Sequence, residues 1–245
     1  MSKWIPFFIL GLFSSTFSAD KSAQFETDLF KTKAGELKVT FIGHASLIFG
    51  ISNKIIYIDP YSKLADYTKL PQADLVMITH EHQDHLDLSA LSAVTNSSTK
   101  IILTASCTNK TINGIVLKNG DKTNFSGFQI EAVPAYNITN KRDNGQPFHS
   151  KGSGNGYVIT FGDKKFYIAG DTENIPEMKN LSNIYCAFPP MNLPYTMTPE
   201  MAADAALMIK PKIFYPYHFG ETDTGKLLLL MKKNPDIETR IRKMK

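Results

Sequence analysis

Short apolar runs broken by turn residues recur along the chain, and their lengths predict strands more often than helices. "ELKVTFIGHASLIFG" (36–50) reads as two strands joined by a turn at Gly43-His44. "KIIYIDP" is a strand stopped by Asp59-Pro60, and "ADLVMITH" is a nearly continuous apolar run of the kind a sheet strand buried on both faces shows. "LDLSALSAVT" switches to helical spacing, with Leu86, Leu88, Leu91 and Val94 on the packing side, before "KIILTA" returns to strand. Further on, "FQIEAVPA", "GYVITF", "KKFYIAGD", "IYCAFPP" and "KIFYPYHFG" predict strands. "TPEMAADAALMIK" predicts a helix capped by Thr198 with Pro199 in its first turn, and "GKLLLLMKK" a last helix.

The pattern repeats. "LIFGISNKIIYIDP" and "YVITFGDKKFYIAGD" both read as hairpins whose second strand carries "YI" before an aspartate. Two similar halves follow, each a sheet with helices outside. Hairpins mixed with strand-helix alternation predict a four-layer αββα sandwich of the α/β class rather than a doubly wound parallel sheet. "GSGNG" (152–156) precedes a strand instead of opening a helix, so the glycine-rich phosphate turn of dinucleotide-binding folds is absent. No linker divides the chain, and a single domain is expected over 36–245. The polar stretch 19–35 reads as a leader into it.

Composition narrows this further. At 245 residues, 42% hydrophobic and 20% charged, the chain is ordinary globular material with enough length to bury a core. The net charge of +4 is spread out, with no basic run interleaved with aromatics, so no nucleic-acid partner is expected. Residues 1–18 have the layout of a signal peptide: a basic start at Lys3, the apolar "WIPFFILGLF", then small residues up to Ser18. The apolar stretch is shorter than the roughly 20 residues a bilayer span needs. The expected protein is periplasmic or secreted, with no stable membrane anchor once the signal is removed. Cys107 and Cys186 are not spaced as a metal site, and Cys186 lies in an apolar run, so two unpaired core thiols are expected.

The candidate chemistry sits in "THEHQDH" (79–85), which holds three of the six histidines. His80, His82, Asp84 and His85 follow an apolar strand directly. In extended backbone 80, 82 and 84 point to one side, and a turn after 84 aims His85 elsewhere. That supplies two imidazoles to one cation and an Asp-His pair to a second. The helical HExxH zinc motif does not fit, because Asp84 stands where its second histidine belongs.

These residues resemble the HxHxDH motif of the metallo-β-lactamase superfamily. "FIGHAS", "YIDP", "THEHQDH", "YIAGDT" and "PYHFG" occur in that superfamily's order and cover nearly all of the chain after residue 36. The details look most like the branch that contains ascorbate-6-phosphate lactonases and many uncharacterised hydrolases. The resemblance implies the metallo-β-lactamase fold and two divalent ions. One ion takes His80, His82 and a later histidine; the other takes Asp84, His85 and His218; Asp171 bridges them. In several relatives the later histidine follows a proline-alanine pair, where this chain has Asn137 in "VPAYN". The remaining downstream candidate is His149. His44 is placed by the resemblance beside the site, as a pocket residue or outer donor. Asp59 matches an early aspartate suited to orient a ligating histidine. Asn192 and Tyr195, in the loop "PPMNLPYTM", stand where they could polarise a substrate oxygen, with Tyr136 and Asn137 as weaker candidates.

The implied activity is metal-dependent hydrolysis of an ester, lactone or phosphoester in a small-molecule substrate. A hydroxide activated by two ions attacks, and Asp84 accepts a proton. Zinc is the default for an imidazole-rich site; manganese and iron are compatible. The alternative is a diiron redox or metal-binding protein on the same fold without hydrolytic turnover.

Overall fold

The computed structural model describes residues 25–110 and 113–244. The signal-peptide reading of 1–18 lies outside the described residues. Among the described residues, fourteen strands form two seven-stranded sheets, each in simple chain order. The first sheet runs β1 (Glu26–Thr32), β2 (Gly35–Gly43), β3 (Ser46–Ile51), β4 (Lys54–Ile58), β5 (Leu75–Met77), β6 (Lys100–Leu103) and β7 (Ile115–Val116). The second runs β8 (Lys122–Phe125), β9 (Phe128–Ala135), β10 (Gly154–Phe161), β11 (Lys164–Ile168), β12 (Ile184–Phe188), β13 (Ile213–Phe214) and β14 (Glu238–Thr239). In each sheet the first four strands are antiparallel and the rest parallel. The two hairpins that echo each other in sequence, β3–β4 and β10–β11, occupy matching third and fourth positions. Asp59 and Asp171 therefore leave equivalent points of the two halves.

Strand alternation explains why the central runs are apolar on both faces. In β5, Leu75 and Met77 enter the core between the sheets. Val76 turns outward, to pack with Ala90, Leu91 and Val94 of α1 (Leu88–Val94). The inter-sheet core is aromatic, with Phe49 edge-on to Phe161 at 5.8 Å. On the far side, α2 (Pro199–Ile209) and α3 (Thr224–Met231) cover the second sheet through Ala202, Ala205, Ala206 and Leu227. Thr198 caps α2 as its sequence indicates, accepting from the Met201 amide. Cys107 and Cys186 are both buried and unpaired. No helix among the described residues is long and apolar enough to cross a membrane.

Two expectations need correction. The polar stretch 19–35 is not wholly a leader, and the sheet does not begin at 36: Glu26–Thr32 forms edge strand β1, paired along its length with β2. An edge strand needs only one buried face, and here Phe30 alone is buried while Leu29 is exposed. Its polar residues are used for anchoring. Asp28 accepts from Arg242 and from the Tyr215 hydroxyl, and Glu26 accepts from the Lys243 amide. In α1, Leu88 is exposed rather than packed, because it opens the first turn beside the Asp87 cap.

Candidate metal centre

The six histidines of the chain all converge on one cluster, together with Asp84 and Asp171. The segment after β5 is a turn rather than an extended strand: the amides of His85 and Leu86 both donate to the carbonyl of His82. That curl, earlier than the turn expected after 84, separates His80 and His82 from Asp84 and His85. His149 arrives from the loop between β9 and β10, Asp171 from the end of β11, and His218 from the turn after β13.

Three donor groups result, each with its ligand atoms within 4.8 Å of one another. They are His80-His82-His149, His44-Asp84-His218 and His80-His85-Asp171. Asp171 stands between the first two. Its Oδ2 lies 3.2 Å from His149 Nε2 and 3.9 Å from His80 Nε2. Its Oδ1 lies 3.5 Å from His85 Nε2 and 3.6 Å from His218 Nε2. Asp84 Oδ2 is 3.0 Å from His44 Nε2, 3.5 Å from His218 Nε2 and 3.7 Å from His85 Nε2.

The outer contacts fix the rings. Asp59 Oδ2 is 2.8 Å from His85 Nδ1, while the same carboxylate accepts from the Thr79 amide and hydroxyl. Its partner nitrogen, His85 Nε2, is left facing the cluster. Asn137 Oδ1 accepts from the His149 amide and lies 2.7 Å from His149 Nδ1. Asn137 is thus not on the substrate side; it orients His149. Tyr136 is not there either, since its hydroxyl donates to Glu177 and its ring faces Lys151. The amide of Asn192 reaches His218 Nδ1 at 3.2 Å, and Tyr195 packs edge-on against Phe148 at 5.0 Å. Both also line a cavity of about 480 Å³ that opens over His82, Asp84, Asp171 and His218.

Sequence reasoning missed Glu173. It is buried and gathers four N–H groups: the amides of Ile138, Thr139 and Asn140 and the side chain of Asn137. A carboxylate two positions after a site aspartate was the signal available; its partners lie more than thirty positions away.

Backbone conformation is also unusual here. His44, Asp59 and His218 adopt φ of 51°, 42° and 46°, the left-handed region that non-glycine residues rarely occupy. Gly170, at φ 65°, turns the chain into Asp171, and a Cβ there would stand 2.7 Å from the Asn155 carbonyl. The His218 amide donates to the His44 carbonyl at 2.8 Å, which ties the two sheets together at the cluster.

Electrostatics hold His80, His82, Asp84 and Asp171 in ligating form. Burial pushes the His80 and His82 pKa values down, and neighbouring imidazoles add to this, so both rings favour the neutral form that can ligate; His80 Nε2 and His82 Nδ1 face each other at 3.0 Å. Burial opposes ionisation of Asp171, but His218, His85 and His149 outweigh it and hold the carboxyl well below the usual carboxylate range. Asp84 is likewise held low: burial raises it, and hydrogen bonding to His218 and His44 more than reverses this. His85 goes the other way, since Asp171 and Asp59 overcome its burial and raise it well above an ordinary histidine. His149 Nε2 and Asp171 Oδ1 are buried without a hydrogen-bond partner among the described residues. Orphaned polar atoms are costly unless something else satisfies them. Neutral imidazoles and carboxylates converging on such a point fit a divalent transition metal.

The fold and donor set together define a metal-binding αββα sandwich. The profile of the beta-lactamase superfamily domain matches residues 38–218. A UPF0173 metal-dependent hydrolase of Pelotomaculum thermopropionicum is 31% identical over 194 residues, covering 75% of this chain and 85% of that protein. Another, from Thermococcus onnurineus, is 32% identical over 197 residues, covering 75% and 85%. The crystal structure of a Parabacteroides distasonis protein, provisionally classed as a metal-dependent hydrolase, superposes with a TM-score of 0.86. It is 50% identical and covers 90% of this chain and 100% of that one. The chain belongs to the beta-lactamase superfamily, among its metal-dependent hydrolases.

Proposed function

We propose that this hydrolase works with two divalent ions, zinc by preference, on an ester, lactone or phosphoester. One ion is assigned to His80, His82 and His149, the other to Asp84, His85 and His218, with Asp171 shared. The observation that carries this reading is the division of Asp171, whose Oδ2 faces His149 and His80 while Oδ1 faces His85 and His218. When bound, such ions supply a water acidified to near neutrality and positive charge for a developing oxyanion.

The chain's own residues do the rest. Asp59 and Asn137 hold His85 and His149 in single ring orientations. His44 occupies one side of Asp84 Oδ2 and limits its rotation. Asp84, at 34% side-chain exposure, is the carboxylate most open to the cavity and takes the proton that the attacking water gives up. Phe148 and Tyr195 pack edge-on and form an apolar wall of the cavity. A cavity of about 480 Å³ suits a small molecule. The apolar segment near the start of the chain supports a further proposal, that the enzyme acts after export; fractionation of cells producing the full chain tests it.

The test is turnover by metal-loaded protein on nitrophenyl esters, lactones and nitrophenyl phosphodiesters. Hydrolysis of at least one class, abolished by a chelator and restored by zinc, is expected. Lack of turnover on every class with zinc, manganese or iron contradicts the proposal, and oxygen consumption by the iron form favours redox chemistry instead.

A further inference from the structure

Two cavities meet over the cluster, the larger of about 480 Å³ and a smaller one of about 200 Å³. Arg142 lines both, and it is the one lysine or arginine that lines either among the described residues. Its guanidinium has no carboxylate partner there. It lies over the Phe148 ring, 5.1 Å from the centroid, and one nitrogen approaches the Phe148 carbonyl at 3.4 Å, a long contact. Of the two acids that line the smaller cavity, Glu81 accepts from the Ser106 hydroxyl at 2.5 Å and Asp171 faces the histidines. Most of the five guanidinium N–H donors are therefore free to meet a ligand.

The arginine is also held in place. A tight hairpin presents it: Lys141 and Pro147 are bridged, the Arg142 amide donates to the Gln146 carbonyl at 2.7 Å, and the Gly145 amide returns to the Arg142 carbonyl at 2.8 Å. Glu173 anchors the base of the hairpin through the amides of residues 138–140, and the Asn140 side chain donates to the Thr196 carbonyl. Stacking on an aromatic face further limits the guanidinium's freedom, so little ordering is left to be done on binding.

We propose that Arg142 is an anion-binding subsite and that the substrate carries a second, non-reacting oxyanionic group, carboxylate or phosphate. Arg142 grips that group in a bidentate pair while the scissile bond lies over the histidine-aspartate cluster. Phe148 and Tyr195 pack against the apolar spacer between them. This proposal rests on the hydrolase reading above, and it narrows the substrate to a small anionic ester, lactone or phosphoester.

Calorimetric titration of the metal-loaded protein tests it without requiring turnover. Succinate, glutarate and phosphonopropionate are compared with acetate in the wild type, Arg142→Gln and Arg142→Lys, with metal content measured in each. A bifunctional anion is expected to bind the wild type about tenfold more tightly than acetate, with that advantage lost in Arg142→Gln and partly kept in Arg142→Lys. A greater Arg142-dependent gain for the phosphonate indicates a phosphate-bearing substrate, and a greater gain for the dicarboxylates a carboxylate-bearing one. An equal preference in wild type and Arg142→Gln overturns the proposal, as does loss of metal from Arg142→Gln. Turnover of the ester, lactone and phosphodiester panel by metal-loaded protein reports on hydrolysis separately. Turnover without an Arg142-dependent gain leaves the hydrolase reading standing and removes this one, and the reverse result removes only the hydrolase reading.

Discussion

Asn137 Oδ1 meets His149 twice, accepting its amide at 2.8 Å and lying 2.7 Å from ring atom Nδ1. The ring is thereby fixed with Nδ1 toward Asn137 and Nε2 toward Asp171. Replacing Asn137 with alanine is expected to weaken metal binding about 10–100-fold, the usual cost of losing an outer partner. Competition against a chromogenic chelator measures this. Unchanged affinity in a folded variant would remove Asn137 from the account.

Glu173 holds the segment that carries Asn137. Glutamine in its place turns one acceptor oxygen into a donor that faces amide N–H groups. Glu173→Gln should lose about 1–3 kcal/mol of stability. It should also speed hydrogen exchange in the peptide spanning 137–149 while leaving β3 and β4 protected. Exchange rates indistinguishable from wild type over 137–149 would show that the loop is held by other means.

Much of this architecture was legible in the sequence, and the reasons are local. Strands such as 75–77 and 164–168 announce themselves because consecutive residues, and so both faces, are buried. The spacing of His80, His82, Asp84 and His85 shows a metal-type cluster because few other structures crowd such residues together. His44 and Asp59 could be placed near the site only through resemblance. Arg142 was not legible at all, and Glu173 only as a carboxylate two positions after Asp171. An acid that binds backbone amides and an arginine that stacks on a loop phenylalanine leave no periodic mark, since their partners are set by loop conformation. The strand β1 was hidden for a related reason: an edge strand with one buried residue, Phe30, has almost no hydrophobic pattern.

The anchoring of β1 predicts a pH dependence. Burial raises the Asp28 pKa, but hydrogen bonds from Arg242 and Tyr215, helped by the charges of Arg242 and Arg240, bring it below the ordinary value. A carboxyl whose folded pKa lies below its unfolded one, about 3.9, contributes stability that is complete above that pH and is lost as pH falls through the folded value. Asp28→Asn should therefore cost about 1–3 kcal/mol near neutral pH. The gap to wild type should close in strongly acidic buffer. Urea denaturation at both conditions tests this, and a gap that persists in acid would mean that Asp28 acts through its shape rather than its charge.

Gly170 sets the approach of Asp171. Alanine there would combine a left-handed φ with a Cβ 2.7 Å from the Asn155 carbonyl. Gly170→Ala should destabilise the fold by about 1–3 kcal/mol and lower metal occupancy together. Thermal melts with and without a chelator separate the two effects; normal occupancy in a destabilised variant would show that Asp171 keeps its place without the glycine.

The most direct measurement is the number of metal ions per chain, by elemental analysis of protein loaded with zinc and freed of excess. The account predicts two ions in the wild type, one in His149→Ala, and near none when His82→Ala is combined with Asp171→Ala. A wild type that holds a single ion, or a double variant that keeps both, would contradict it.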